Sequence, residues 1–257
     1  MASKSSSTWK WLDRLNRGEV LVRNLPQIKD ALPQLSNVRS CAMIGCANGS
    51  VDLDFVAGCL PNITELTAVE PDAHEMAELK TRIAQRLPTV KTDFVQETAQ
   101  SWTGNKKTFD VVLLFNVLQY VPVPERPVLF KKLFDNIVRS GGLVFTIFVT
   151  VKLADTDSLI GKLFSLLGLP LDDYRIKDSD VPQICHMMTS VGFQECYELP
   201  MEFERNVENM DNDSAMIVVW MSGGRLSVDK VREAFKTATG DRKIIKDTMY
   251  LLAFRKP

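Results

Sequence analysis

The chain has 257 residues, of which 45% are hydrophobic and 25% are charged, and its formal net charge at pH 7 is −1. These values are typical of a globular domain, and the even balance of charge argues against a nucleic-acid-binding groove, which usually makes a domain basic. No apolar stretch approaches the ~18 residues of a membrane-spanning helix, and the polar first residues precede no signal-peptide core. We therefore expect neither nucleic acid nor a membrane as a partner.

Residues 9–33 place apolar side chains at helical spacing, which predicts one or two short helices broken near Gly18 and Pro26. From residue 38 onward, apolar runs of strand length alternate with amphipathic stretches. The predicted strands are residues 38–44, 65–69, 90–95, 110–115 and 143–149. The predicted helices between them are residues 51–60, 72–87 and 124–140, the last ending at Gly141-Gly142.

The run at residues 110–115 is almost wholly apolar, which is typical of a sheet covered on both faces. Alternating strands and helices predict a doubly wound, parallel α/β sheet with helices on both faces. The C-terminal part adds two apolar helices, residues 158–167 and 179–191, and three strand-like stretches, residues 193–204, 215–221 and 247–255. We expect these late strands to join the sheet edge in antiparallel orientation.

Five cysteines occur at an odd count and without a Cys-x-x-Cys pair. They are best interpreted as small buried hydrophobic residues in a reducing compartment, which predicts a cytoplasmic protein. The two histidines, His74 and His186, offer little to a metal site, so no metal is expected.

A loop of small residues, 45–49, follows the first predicted strand and precedes a helix, with Gly45 and Gly49 at its ends. In a doubly wound sheet this turn lies where ligands bind, and its glycines allow close approach of a ligand to the backbone and the helix N-terminus. A Gly-x-x-x-Gly turn can equally be a tight connection.

Glu70 ends the next predicted strand, 21 residues after Gly49, where a carboxylate can accept hydrogen bonds from both ribose hydroxyls of a nucleoside. An exposed acid that binds no ligand could occupy the same position at a strand end. The loop and Glu70 together favour a nucleoside cofactor. The Gly-x-Gly-x-x-Gly pattern of dinucleotide sites is absent, whereas S-adenosylmethionine carries no phosphate and needs only the close backbone approach and the acid.

The motifs "AMIGCANGSVDL", "LTAVEP", "VQET" and "FDVVLLFNVLQYVP" occur in the order found in class I S-adenosylmethionine-dependent methyltransferases, which the chain resembles from about residue 38 to residue 149. The resemblance implies a Rossmann-like, seven-stranded sheet, mostly parallel with an antiparallel edge hairpin. Two positions depart from the family pattern. Met43 stands where an acid is common, and Ala47 replaces the middle glycine of the loop.

Further stretches, "AVEPDAHEM", "QETAQSW", "GFQECYEL" and "KDTMYLLAF", resemble the histamine N-methyltransferase family. The resemblance implies a monomer that transfers methyl from S-adenosylmethionine to a nitrogen of a small amine or imidazole compound, with S-adenosylhomocysteine as product. It also implies that the chain has three parts. Residues 1–37 would form a helical lid and substrate segment, residues 38–150 would form the core that binds S-adenosylmethionine, and residues 151–257 would complete the sheet and the substrate pocket.

The resemblance assigns the cofactor site to the glycine loop, the ends of the next two strands and the end of the fourth strand. These residues are Gly45, Cys46, Ala47, Gly49, Glu70, Pro71, Glu75, Glu97, Thr98 and Phe115. It assigns the substrate site to residues from all three parts of the chain, which are Glu19, Asn116, Tyr120, Ile160, Phe164 and Asp247. Packing roles for Tyr120, Ile160 and Phe164 and a solvated position for Asp247 remain alternatives.

Methyl transfer from a sulfonium needs an acceptor lone pair held in line at ~3–3.5 Å. We therefore expect catalysis by positioning and exclusion of water, with Glu19 and Asp247 as candidate bases and no certain catalytic residue. Trp9, Trp11 and the helices within residues 158–191 would close the pocket. Two alternatives stay open: a methyltransferase acting on oxygen, carbon or a carboxylate, and a methyltransferase-like protein that binds without turnover.

Overall fold

The computed structural model describes residues 17–149, 159–168, 180–206, 215, 219, 224–241 and 244–257. The helices are α1 (Arg17–Ala31), α2 (Ser50–Cys59), α3 (Ala73–Arg86), α4 (Arg126–Lys132), α5 (Leu159–Leu167), α6 (Asp180–Ser190) and α7 (Val228–Thr239). The strands are β1 (Ser40–Ile44), β2 (Glu65–Val69), β3 (Lys91–Val95), β4 (Phe109–Phe115), β5 (Val138–Val149), β6 (Gln194–Asn206) and β7 (Ile244–Arg255). Short 3₁₀ turns cover Pro33–Asn37, Gly104–Lys106, Leu118–Tyr120 and Val123–Glu125.

The strands form one seven-stranded sheet in the order β3-β2-β1-β4-β5-β7-β6. Strands β1 to β5 are parallel, whereas β7 pairs antiparallel with β5 and β6. The predicted fold class is thereby confirmed, including the antiparallel edge. The strand order reverses between β1 and β4, which is where a doubly wound sheet opens a crevice for ligands.

The sheet is covered on both faces, as the apolar run in β4 predicts. Val111, Leu113 and Phe115 face a core closed by α1, α2 and α3, and Val112 and Leu114 face a core closed by α4 and α6. A third, smaller cluster joins α5 to α7. Alternate residues of one strand thus enter two cores, so the strand has no polar side.

Helix α1 runs through Pro26 without the break that the sequence predicts. Proline removes a hydrogen bond of the preceding turn, but Leu21, Leu25 and Ile28 on either side of it are buried in the α1–α2–α3 core. Packing of this apolar face overrides the local preference. Residues 9–16, with Trp9 and Trp11, lie outside the described part of the chain.

Two other element predictions are wrong. The helix predicted at residues 124–140 ends as α4 at Lys132 and continues only as a π-helical turn, Leu133–Ile137, before β5 begins at Val138. The glycines predicted to end it lie in the strand, where Gly141 and Gly142 exchange backbone hydrogen bonds with Lys256. The strand predicted at residues 215–221 is not present at its two described residues, because Ala215 and Val219 are helical.

Candidate functional site

The glycine loop (residues 45–49) lies between β1 and α2 at the carboxyl edge of the sheet, beside the reversal of strand order. Gly45, Ala47 and Gly49 all have positive φ, of 66°, 47° and 73°. Alanine in this region is strained, and such strain is typical of functional loops. Hydrogen bonds hold the turn, since Gly45 N donates to Val69 O at 2.7 Å and Gly49 N donates to Cys46 O at 2.8 Å.

Both glycines are required by the protein itself. A Cβ at Gly45 would lie 2.8 Å from Cγ2 of Val117, and a Cβ at Gly49 would lie 2.4 Å from Cδ1 of Leu79. The glycines therefore explain how the turn fits against α3 and the segment after β4. They do not by themselves indicate a ligand, so the evidence for a ligand must come from the polar groups around the loop.

Glu70 supplies that evidence. Its side chain is 5% exposed, and its two carboxylate oxygens accept different backbone hydrogen bonds. Oε2 accepts from Ala47 N at 2.8 Å, and Oε1 accepts from Asp72 N at 2.9 Å. The carboxylate thus ties the glycine loop to the start of α3. A carboxylate has about four acceptor positions, so this anchored group suits the two hydroxyls of a ribose.

The start of α3 completes this side of the site. Asp72 caps the helix, accepting from His74 N at 2.8 Å and Glu75 N at 3.1 Å through Oδ1. Glu75 is 2% exposed, whereas Pro71 is exposed and its carbonyl accepts from Gln96 Nε2 at 3.4 Å. The ends of β2 and β3 are therefore linked beside Glu70.

Glu97 and Thr98 lie just beyond β3, whose last residue, Val95, accepts a hydrogen bond from Glu70 N at 3.0 Å through its carbonyl. The Thr98 hydroxyl accepts from Ser101 N at 3.1 Å, so it already serves a tight turn. Lys132 of α4 anchors that turn by donating to Ala99 O at 2.6 Å and Gln100 O at 2.8 Å. Burial lowers the pKa of Lys132 despite the nearby charge of Glu97. Lys132 was not identified from the sequence, because its partners are backbone carbonyls.

The end of β4 borders the loop from the other side of the crevice. Phe115 is buried and packs edge-on against Phe55 of α2, with ring centroids 5.4 Å apart. Asn116 has a φ of 57°, and its N–H donates to Ile147 O at 2.7 Å. Tyr120 follows on the next turn and is 45% exposed. The two predicted substrate residues, Asn116 and Tyr120, thus share one short segment at the site.

A groove of about 670 Å³ separates α1 from the first turn of α2 (the N-terminal groove). The residues that line it are Gly18, Glu19, Val22, Arg23, Ser50, Val51 and Asp54. Glu19 is exposed there, and Ser50 directly follows the glycine loop. The predicted substrate acid at Glu19 therefore lies on a groove that ends next to the candidate cofactor site.

For the other three predicted substrate residues, the structure describes only the backbone. Ile160 and Phe164 have described backbones in α5, and Asp247 pairs with Phe203 in the β6–β7 ladder. The side chains of Ile160, Phe164 and Asp247 lie outside the described atoms. Their roles stay predictions.

Asp52 is a buried acid that the sequence interpretation missed. It lies in the first turn of α2 and is 4% exposed, and its Oδ1 has no hydrogen-bond partner among the described residues. Burial raises its pKa well above the usual range, and the charge of Glu70 raises it further. The available signal was an acid at the third position of a helix whose only other polar residues are Ser50 and Asp54.

Cys46 is predicted to line the cofactor, and it is buried within the loop. Burial raises the pKa of its thiol, with further contributions from the charges of Asp52 and Glu70. The thiol donates weakly to Val69 O at 3.8 Å. Cys46 is thus a neutral packing group rather than a nucleophile.

Within the described ranges, no group of three or more acidic, histidine or cysteine side chains could hold a metal ion. No helix in the same ranges is long and apolar enough to cross a membrane.

Residues 42–142, from β1 into β5, match the family model of the methyltransferase domain. No curated protein matches the chain. Similar solved structures include a protein described as a methyltransferase from Bacillus halodurans C-125, with 14% identity and a TM-score of 0.63 over 92% of this chain and 98% of that one. One described as a sarcosine dimethylglycine methyltransferase from Galdieria sulphuraria has 9% identity and a TM-score of 0.57, covering 92% and 85%. A cyclopropane synthase from Mycobacterium tuberculosis has 9% identity and a TM-score of 0.57, covering 90% and 84%. Identities this low show a shared fold.

Proposed function

We propose that this chain, whose core is a class I S-adenosylmethionine-dependent methyltransferase domain, transfers a methyl group to a nitrogen of a small molecule. The observation that carries the proposal is the anchored carboxylate of Glu70 beside the glycine loop. It lies at the crevice where the strand order reverses and within the residues that match the methyltransferase domain model, and both facts support a cofactor site there.

The residues present fit this cofactor. Glu70 would receive the ribose hydroxyls, and Glu97 and Thr98 would border the adenine. The loop and Phe115 would hold the methionine part, with Phe115 fixed by its contact with Phe55. When bound, S-adenosylmethionine supplies a methyl group on a sulfonium, which needs no further activation by the protein.

The acceptor would enter by the N-terminal groove and meet Asn116 and Tyr120 at the end of β4. Glu19 would attract a cationic amine to the groove mouth, and the exposed Val22 and the half-buried Val51 would contact its apolar part. An amine reacts only when deprotonated, so Glu19 and Asp247 are proposed as proton acceptors. The remaining task of the chain is to align the lone pair and exclude water.

A nitrogen acceptor is supported by the resemblance to the histamine N-methyltransferase family and by the acid in the groove. The Galdieria sulphuraria protein with the same fold is described as a sarcosine dimethylglycine methyltransferase, and sarcosine and dimethylglycine are amines. A carbon or oxygen acceptor is the second candidate, because the Mycobacterium tuberculosis protein with the same fold is a cyclopropane synthase. Binding without turnover is the third, and it is supported by Ala47 in the loop, whose positive φ costs strain.

The test is a screen of small amines and imidazoles, including histamine, with detection of S-adenosylhomocysteine. Glu19→Gln is compared with Asp30→Asn, which removes an exposed charge at the other end of α1. We expect turnover with an amine. Glu19→Gln should raise the KM for that amine about tenfold, and Asp30→Asn should leave it unchanged. Turnover only with oxygen or carbon acceptors would overturn the nitrogen assignment, and binding of the cofactor with no acceptor turnover would favour the third candidate.

A further inference from the structure

Asp52 is the buried polar group at the site that the proposed roles leave unused. Its Oδ1 lacks a hydrogen-bond partner within the described part of the chain. The charged group that acts on it is another acid, Glu70, and its other titratable neighbours are the thiols of Cys41 and Cys46. Burying a carboxyl oxygen without a hydrogen-bond partner costs free energy. Such a group in a native structure therefore needs an explanation, such as a functional role.

The position of Asp52 points to the glycine loop. Asp52 and Phe55 are three residues apart on the buried face of α2, and Phe55 packs against Phe115 at the end of β4. Side chains on a helix tilt toward its N-terminus, and the N-cap of α2 is Gly49. The charge of Asp52 acts on Cys41 of β1 and on Cys46 of the loop, so its carboxyl lies near the backbone proposed to hold the methionine part of the cofactor.

Two other acids beside the loop, Glu70 and Asp72, already have backbone partners. Glu70 accepts from two N–H groups through separate oxygens, and Asp72 caps α3. Met43, which the sequence places where an acid is common, is apolar and fully buried. Asp52 faces β1 from α2, so it offers a carboxylate to the loop from the opposite side.

We propose that Asp52 receives the ammonium group of the methionine part of S-adenosylmethionine and S-adenosylhomocysteine, and this assignment rests on the proposed function. An ammonium is the cation that these ligands bring to the site, and it can donate to Oδ1. The pairing converts an uncompensated buried acid into a hydrogen-bonded ion pair.

The experiment compares two ligands by calorimetry. S-adenosylhomocysteine carries the ammonium, whereas 5′-methylthioadenosine keeps the nucleoside and lacks the amino-acid part. Both are titrated into the wild type, Asp52→Asn, Glu70→Gln and a control, Asp30→Asn. Asp30 is an exposed acid at the end of α1 and lies outside the residues that line the N-terminal groove.

We expect Asp52→Asn to weaken the binding of S-adenosylhomocysteine by at least tenfold and the binding of 5′-methylthioadenosine by less than twofold. Glu70→Gln should weaken the binding of both ligands, and Asp30→Asn should change neither affinity. If Asp52→Asn lowers the affinity for both ligands equally, Asp52 has a purely structural role and the proposal is overturned. An unchanged affinity for S-adenosylhomocysteine would also overturn it. If the folded wild type binds neither ligand, the cofactor assignment itself fails, and that result is distinct from the other two.

Discussion

Replacing Asp52 by asparagine should change how the stability of the protein depends on pH. Burial raises the pKa of Asp52 in the folded state well above its ordinary value of 3.8 in an unfolded chain. When the pH rises above this value, the unfolded chain releases the proton while the folded chain keeps it. The free energy of unfolding of the wild type therefore falls as pH increases, until the pH passes the folded-state pKa.

One proton is involved, so the slope is about 1.4 kcal/mol per pH unit within that window. Asp52→Asn removes the proton and keeps the shape of the side chain. The difference in free energy of unfolding, mutant minus wild type, should thus be constant below the ordinary pKa of aspartate and grow in favour of the mutant above it. Cys41 and Cys46 do not interfere, because burial raises the pKa values of both thiols well above 9.0.

Urea unfolding of both proteins at pH 4.5, 5.5 and 6.5, without ligand, measures this difference. Asp30→Asn controls for the loss of one negative charge, because Asp30 is exposed on α1. A mutant-minus-wild-type difference that stays constant over the three pH values would refute the reasoning, since Asp52 would then be ionised in both states or exposed in solution.

Three further predictions concern the frame of the site. Gly49→Ala should lower the free energy of unfolding by about 1–3 kcal/mol in a denaturant titration, because the new Cβ needs a φ of 73° and the space of Leu79. Asn116→Gly should raise the KM for the acceptor in steady-state assays while stability stays within about 1 kcal/mol, because glycine tolerates its positive φ. Lys256→Met should cost about 1–3 kcal/mol in the same titration and leave S-adenosylhomocysteine affinity unchanged, because Nζ donates to the carbonyls of Phe134 and Val138 far from the loop.

The sheet was predictable from the sequence wherever one physical signal dominated. The apolar run of β4 predicted a strand buried on both faces. The alternation of strands and helices predicted that the strands up to β5 are parallel. The turn at residues 45–49 and Glu70 were predicted at the carboxyl edge, and the structure joins them by the bond from Ala47 N to Glu70 Oε2.

Predictions failed where tertiary contacts outweighed local preference. Pro26 stays within α1 because its neighbours are buried, and the expected end of the helix at Gly141-Gly142 became part of β5 because Lys256 pairs there. A short apolar run such as residues 215–221 cannot be assigned to a strand or a helix from its pattern alone.

The site was predictable only for groups with a fixed place in the chain order. Glu70 follows a strand, so its position could be derived. The role of Lys132 depends on backbone carbonyls of a distant turn, and the burial of Asp52 depends on which face of α2 meets the sheet. Neither property is encoded in local spacing. Both become visible only once the helices are packed.

The most direct test of the cofactor site is calorimetric titration of the wild type and Glu70→Gln with S-adenosylhomocysteine. Glu65→Gln is the matched control, because Glu65 is exposed at the other end of β2. We expect micromolar binding by the wild type and Glu65→Gln, and a loss of about tenfold or more in Glu70→Gln, since hydrogen bonds to a charged group contribute about 1.5–3 kcal/mol. Thermal unfolding of each variant confirms that it is folded. Binding that is equal in the folded Glu70→Gln variant, or absent from the folded wild type, would contradict the assignment of the glycine loop and Glu70 as the cofactor site.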